Sequence, residues 1–288
     1  MYKNKAYIIS NQTNLHVGSG DTNFGIVDKE VQRDPISSTP VIHSSSLKGA
    51  IRNHFVSTLA PSNQTEDDNE TKPFTFDTVF GSENKQQGLV KFMDARLVFL
   101  PLRSNKKPFY HTTSLSTLKE LQKFLNLLDI NIDLNLKALQ ETDKSYVVGT
   151  ETKVVVEDIY CDSKDIDISY LKELFGVENV AIFSDEDFNE ALTALPVIAR
   201  NKLEDGTSVN LWYEEVVPRD SRFVSILCYY DNFNEEGKDR RGKIDKTIFE
   251  KAYKRFESKL LKDTIQIGAN ESIGYGVCHF TKIGESDE

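Results

Sequence analysis

Cysteine, methionine and tryptophan are scarce in this chain, and long apolar runs are missing. Its 288 residues include three cysteines, two methionines and one tryptophan. Cys161, Cys228 and Cys278 are widely separated and fit no zinc spacing, so they read as buried, reduced thiols of a cytoplasmic protein. No apolar stretch approaches the roughly 20 residues that a membrane helix needs. The opening MYKNKAYIIS lacks the apolar core and small-residue cleavage site of a signal peptide. There is no G-x-S-x-G elbow, Walker loop or H-E-x-x-H pair, which leaves common hydrolase, NTPase and zinc-peptidase readings without support.

Positive charge is also in deficit. The net charge of −10 argues against loose, nonspecific affinity for nucleic acid. The deficit is uneven, however. Residues 1–60 hold six Lys/Arg against four Asp/Glu, so this part is net +2 and the remaining 228 residues carry −12. With a Debye length of about 8 Å at physiological salt, a local basic face acts despite distant acids.

The basic part contains HSSSLKGAIR, from His43 to Arg52. Leu47, Ile51 and Phe55 recur at four-residue spacing and predict the buried stripe of a helix running to about Leu59. The serines before it are favoured N-caps, because a hydroxyl accepts a bond from an unpaired amide. Lys48 and Arg52 lie one turn apart on another face. Hydroxyls, free amides and two cations at a helix start suit a phosphate.

The rest of the chain reads as interleaved strands and helices without βαβ regularity. Strands are expected at Lys5–Ser10, at Gly88–Leu102 as one strand or a bent pair, at Lys153–Ile159 and at Arg222–Tyr230. Helices are expected at Leu115–Leu128, Ser169–Phe175, Ser184–Ala194 and Lys246–Leu261, the last with Ile248, Phe249, Ala252, Phe256 and Leu260 on its apolar face. Residues 19–41 read as a loop with a hairpin, and residues 61–73 as an exposed acidic insertion or a disordered loop. Pro196–Pro218 reads as a β-hairpin turning at Glu204-Asp205-Gly206. Its Trp212 and Tyr213 suit either stacking on bases or anchoring the hairpin. IGANESIGYG, from Ile267 to Gly276, places glycines where backbone can pass close to another chain. The expected architecture is α+β: a ferredoxin-like, RRM-like antiparallel sheet backed by helices, with large insertions, in a single domain over 1–288.

GIVDKEVQRDP, PVIHSSSLKGAIR, VFGSENKQQGLVKFMDARLVFLPLRS, LWYEEVVP and IQIGANESIGYG together resemble the RAMP superfamily of CRISPR proteins. They are most similar to the repeated backbone subunit of type III-B (Cmr) effectors, with the blocks in the same order from residue 16 to residue 280. One departure is the run His43-Ser44-Ser45-Ser46, where the family often has a glycine before paired serines.

The resemblance implies an RRM-like palm, copies stacked along a CRISPR RNA, and a thumb at about 196–218 that displaces a nucleotide at regular six-base steps. It implies that Ser45, Ser46, Lys48 and Arg52 hold the guide backbone, with Arg33, Gly268, Gly274 and Gly276 as further RNA contacts. It also implies that Asp28, otherwise an ordinary turn residue, cuts target single-stranded RNA by binding a divalent metal (Mg2+ or Mn2+) or orienting the 2′-hydroxyl. His16, Tyr213 and Glu215 are implied in auxiliary catalytic roles. Expected partners are CRISPR RNA, target RNA, other copies of the chain and other Cmr subunits, with no membrane. The alternatives are a non-catalytic RNA-packaging scaffold, a type III-A backbone subunit, a metal-free processing nuclease using His16, and an unrelated enzyme using the glycine loop.

Overall fold

A computed structural model describes residues 2–20, 26–59, 72–82, 86–139, 143–239 and 244–284. Among these, one twelve-stranded sheet organises the chain. Its first strand, Tyr2–Asn11, is flanked by Arg222–Tyr230 on one side and the last strand, Val277–Ile283, on the other. Both pairings are antiparallel, with Tyr2 opposite Tyr230 and Ala6 opposite Ile283. The sheet continues through Ala95–Arg103 and Phe109–Ser114 into shorter strands.

The four residues Ala6-Tyr7-Ile8-Ile9 are all buried because helices cover both faces of the sheet. Tyr7 and Ile9 pack on one side with Leu47, Ile51 and Phe55 of the helix Ser44–Leu59, and with Phe249, Phe256 and Leu260 of the helix Lys246–Lys262. Ala6 and Ile8 pack on the other side with Leu118, Leu121 and Leu125 of Leu115–Leu127. That helix starts on a serine cap, Ser114, whose Oγ accepts from the Thr117 amide at 3.2 Å. All three cysteines are buried free thiols.

Most expected elements are present, with four corrections. The strand expected at Lys153–Ile159 is two strands, Val154–Val156 and Ile159–Lys164, turned back at Glu157 with φ 50°. The sheet is not wholly antiparallel: Val180–Phe183 runs parallel to Phe109–Ser114, and Ile159–Lys164 parallel to Tyr146–Val148. Ile248 is 45% exposed, and Tyr253 takes its place on the buried face of the last helix. A helix at Lys72–Phe80 has no counterpart in the sequence pattern; most of the acidic stretch 61–73 before it lies outside the described residues. No described helix is long and apolar enough to cross a membrane.

Phe55, Phe80, Phe92 and Phe256 form an aromatic cluster between the helices and the sheet, with ring centroids 5.2–6.2 Å apart. Phe256→Ala should cost about 3–5 kcal/mol in urea denaturation. Ile248→Ala, on the exposed face of the same helix, should stay within about 0.5 kcal/mol. Equal losses would place the core of this helix on the wrong face.

Candidate nucleic-acid interface and its carboxylate

The hairpin is built from Val197–Glu204 and Thr207–Glu215, and its two-residue turn, Asp205-Gly206, has φ of 49° and 80°. Positive φ at both positions matches the right-handed twist of the flanking strands. Most of the hairpin is exposed; only Glu214 and Glu215, at its foot, are buried. Its attachment to the rest of the chain is therefore concentrated at the foot.

Three segments meet there. Leu15 and Val217 exchange backbone bonds at 2.9 and 2.8 Å, tying the chain after the first strand to the exit of the hairpin. The amides of Asp28 and Lys29 donate to the Tyr213 carbonyl at 3.0 and 3.1 Å, and the Glu215 amide returns a bond to the Lys29 carbonyl at 2.9 Å. The glycine loop closes from the far side: the Ala269 amide donates to the His16 carbonyl at 2.8 Å, and the Gly276 amide to that of Asn14 at 2.8 Å. Gly268 has φ 84°, and a Cβ there would lie 2.3 Å from the His16 carbonyl oxygen.

These contacts bring Asp28, His16, Tyr213 and Glu215 into one cluster. Asp28 is exposed, and one carboxylate oxygen, Oδ2, accepts from the Tyr213 amide at 2.7 Å. The other oxygen has no protein partner among the described residues. His16 is only 3% exposed. Its Nδ1 lies 2.7 Å from the Glu215 carbonyl, so Nδ1 carries the proton and donates it. Its Nε2 faces Glu214 Oε1 at 3.7 Å and is backed by Gly18, where a Cβ would lie 3.1 Å away. Glu215 accepts from the Val31 amide through Oε2 at 3.0 Å and pairs with Arg33 through Oε1. Arg33 also donates to the carbonyls of Ser38 and Leu192, both at 2.9 Å, so its guanidinium is engaged within the protein. Tyr213 contributes its backbone to this cluster, and its side chain stands partly exposed.

Sequence reading missed Gln32, Asp94, Glu214, Arg200 and Asn270. Gln32 links the cluster to the cationic helix: its Oε1 accepts from the His43 amide at 2.9 Å, and its Nε2 donates to Ser46 Oγ at 3.0 Å. The helix itself begins at Ser44, inside the serine run, and the Ser44 amide is capped at 2.6 Å by Asp94 rather than by a serine hydroxyl. That cap comes from a residue 50 positions away, beyond the reach of a local capping signal. Ser45 is exposed on the first turn.

Lys48 and Arg52 carry the electrostatics. Neither has a carboxylate partner among the described residues, and Arg52 lies over the Phe76 ring at 5.1 Å. Burial, and then the Arg52 charge beside it, hold the Lys48 ammonium below its ordinary pKa. An arriving polyanion would relieve that repulsion, which an existing ion pair would have quenched. Lys29 lies over the Trp212 ring at 5.2 Å, so Trp212 sits against the Asp28 loop at the hairpin foot. Among the described residues no three His, Cys, Asp or Glu side chains are grouped to hold a metal ion.

The glycines are not equivalent. Gly268 and Gly276 pack against backbone, whereas a Cβ at Gly274, with φ 80°, would meet nothing within 4 Å. Gly268→Ala should destabilise the loop and loosen His16, while Gly274→Ala should cost only its backbone strain, about 1 kcal/mol. Thermal unfolding of the two variants checks the order, and equal shifts would remove the close approach as the cause.

A family model described as the RAMP superfamily matches residues 9–279. The CRISPR system Cmr endoribonuclease Cmr4 of Pyrococcus furiosus is 30% identical over 300 residues, covering 96% of this chain and 95% of that protein. In the cryo-EM structure of a type III-B Cmr-beta complex bound to cognate target RNA, one chain aligns with TM-score 0.73 and 23% identity, over 97% of this chain and 96% of its own. The crystal structure of oligomeric Cmr4 from Pyrococcus furiosus aligns with TM-score 0.69 and 20% identity, over 99% of this chain and 100% of its own. With matched sequence blocks, fold and coverage in agreement, the chain belongs to the RAMP superfamily.

Proposed function

We propose that this chain is a repeated backbone subunit of a type III-B CRISPR effector. It binds CRISPR RNA and cuts complementary target RNA at six-nucleotide steps, working in the cytoplasm with other copies of itself and other Cmr subunits. The observation that carries the catalytic part is the Asp28 carboxylate: exposed, held at one oxygen by the Tyr213 amide, and placed at the foot of the only long exposed hairpin among the described residues.

Each part has a physical role. Lys48 and Arg52, with Ser45 at the helix start, grip the guide phosphates. The hairpin acts as the thumb that pushes one target nucleotide out of the duplex. A displaced nucleotide lets its 2′-hydroxyl swing in line with the adjacent phosphorus, an alignment that regular A-form geometry withholds. Asp28 presents its free oxygen to that hydroxyl or to a cation. His16 and Glu215, buried and bonded within the cluster, hold the loop around Asp28 rather than meeting RNA. Arg33 serves the same frame.

The carboxylate alone does not make a resident metal site, given the absence of a ligand group among the described residues. It does suit a Mg2+ or Mn2+ ion shared with RNA, since Mg2+ keeps several waters and takes one or two carboxylates plus substrate phosphates. Such an ion would supply Lewis-acid stabilisation of charge on the phosphoryl oxygens.

In the assembled complex, Asp28→Ala should leave RNA-guided assembly intact and lower cleavage by about 10²–10⁴-fold. Unchanged cutting would remove Asp28 from the mechanism, and an intact target with wild-type protein would favour the scaffold reading. A six-nucleotide product ladder that survives chelator would remove the metal. Lys48→Ala and Arg52→Ala should each reduce the salt-dependence slope of guide-RNA binding by about 0.7. An unchanged slope would place the phosphates elsewhere.

A further inference from the structure

Glu214 is 2% exposed and receives bonds from both sides of the hairpin foot. Its Oε2 accepts from Arg200 Nε at 3.1 Å and from Asn270 Nδ2 at 2.8 Å. Its Oε1 faces His16 Nε2 at 3.7 Å. Arg200 lies on the opposite strand of the hairpin, Asn270 in the glycine loop and His16 in the segment after the first strand. The Arg200 guanidinium also lies over the Tyr275 ring of that loop at 4.7 Å. One buried carboxylate thus joins four separate stretches of chain. Both neighbours of Glu214 serve the cluster around Asp28: the Tyr213 amide holds Asp28 Oδ2, and the Glu215 carbonyl receives the His16 Nδ1 proton.

We propose that Glu214 is a positioning residue for target cleavage, locking the foot of the hairpin to the glycine loop and so fixing the Asp28 carboxylate. The proposal rests on the reading of Asp28 as the cutting residue. The hairpin makes the lock necessary. An isolated two-stranded ribbon is marginally stable, and the eight residues of Val197–Glu204 at about 3.3 Å each make a lever of about 25 Å. Rotation at the foot would swing the tip against the RNA and shift the Tyr213 amide under Asp28. A buried side chain that accepts several bonds resists that rotation, because breaking any one of them leaves a desolvated donor or acceptor unpaired. The charge itself is not what the lock needs. A glutamine with its carbonyl oxygen at the Oε2 position keeps both the Arg200 and Asn270 bonds and fills the same space beside His16.

The test compares Glu214→Ala, Glu214→Gln and Asp28→Ala in complexes assembled on guide RNA. Glu214→Ala should bind target with unchanged affinity and cut it about 100-fold more slowly in single turnover, the loss expected from a displacement of about 1 Å. Glu214→Gln should cut close to the wild-type rate. Hydrogen exchange on the uncomplexed protein gives a readout independent of activity: the amides of Asp28, Lys29 and Tyr213 should exchange faster in Glu214→Ala and remain protected in Glu214→Gln. Asn270→Gly, which keeps the left-handed backbone and removes one donor, should fall between them, and it carries the test if Glu214→Ala does not fold. Wild-type cutting by Glu214→Ala, or equal loss in the alanine and glutamine variants, would overturn the proposal. If wild-type protein fails to cut, or Asp28→Ala cuts normally, the functional reading fails instead, and the exchange pattern still decides whether Glu214 locks the foot.

Discussion

The backbone exchange between Asp28-Lys29 and Tyr213-Glu215 is the contact on which the site depends. It joins two stretches separated by 185 residues and puts the Asp28 carboxylate within reach of an amide it could not find locally. An exposed aspartate in a turn ordinarily samples several rotamers. Here one oxygen is fixed, and the second has no protein partner among the described residues. Glu215 reinforces the same contact by holding the Val31 amide and Arg33, while Gln32, between those two, reaches back to the cationic helix. Alternate residues of one short loop therefore face Glu215 and the start of the cationic helix.

The sheet supplies the rigidity that such a loop needs. Because helices bury both faces of the first strand, its end at Asn11 cannot tilt without disturbing two separate cores. Asn11 itself donates through its side chain to the carbonyls of Thr13 and Pro218, so the strand end and the hairpin exit are clamped at one point. The site hangs from this clamp, and the glycine loop closes on it both by close backbone approach at Gly268 and through the side chains of Asn270 and Tyr275.

Much of this is legible in the sequence where the cause is local. The stripe of Leu47, Ile51 and Phe55 reports a helix because burial recurs with the helical period, and Asp205-Gly206 reports a turn because few residues accept its backbone angles. The tight turn at Glu157 escapes because glutamate is a poor indicator of a left-handed residue, so two strands read as one. Ile248 is misplaced because a helix with apolar residues at adjacent positions has two candidate faces, and only the partner surface chooses. The resemblance of the sequence blocks to a family singles out Asp28. Its holding amide, the Asp94 cap and the Glu214 contacts are long-range and have no local signature, and acidic pairs such as Glu214-Glu215 ordinarily read as a solvated edge.

The bond that fixes Asp28 comes from the main chain of Tyr213, and this sets what variation the site can absorb. The outward side chain at 213 can change in size, charge or polarity without altering the carboxylate's support, since every residue but one offers the same amide proton. Proline alone would withdraw it. Position 213 is thus a place where the outer surface can drift while the geometry beneath it stays constant.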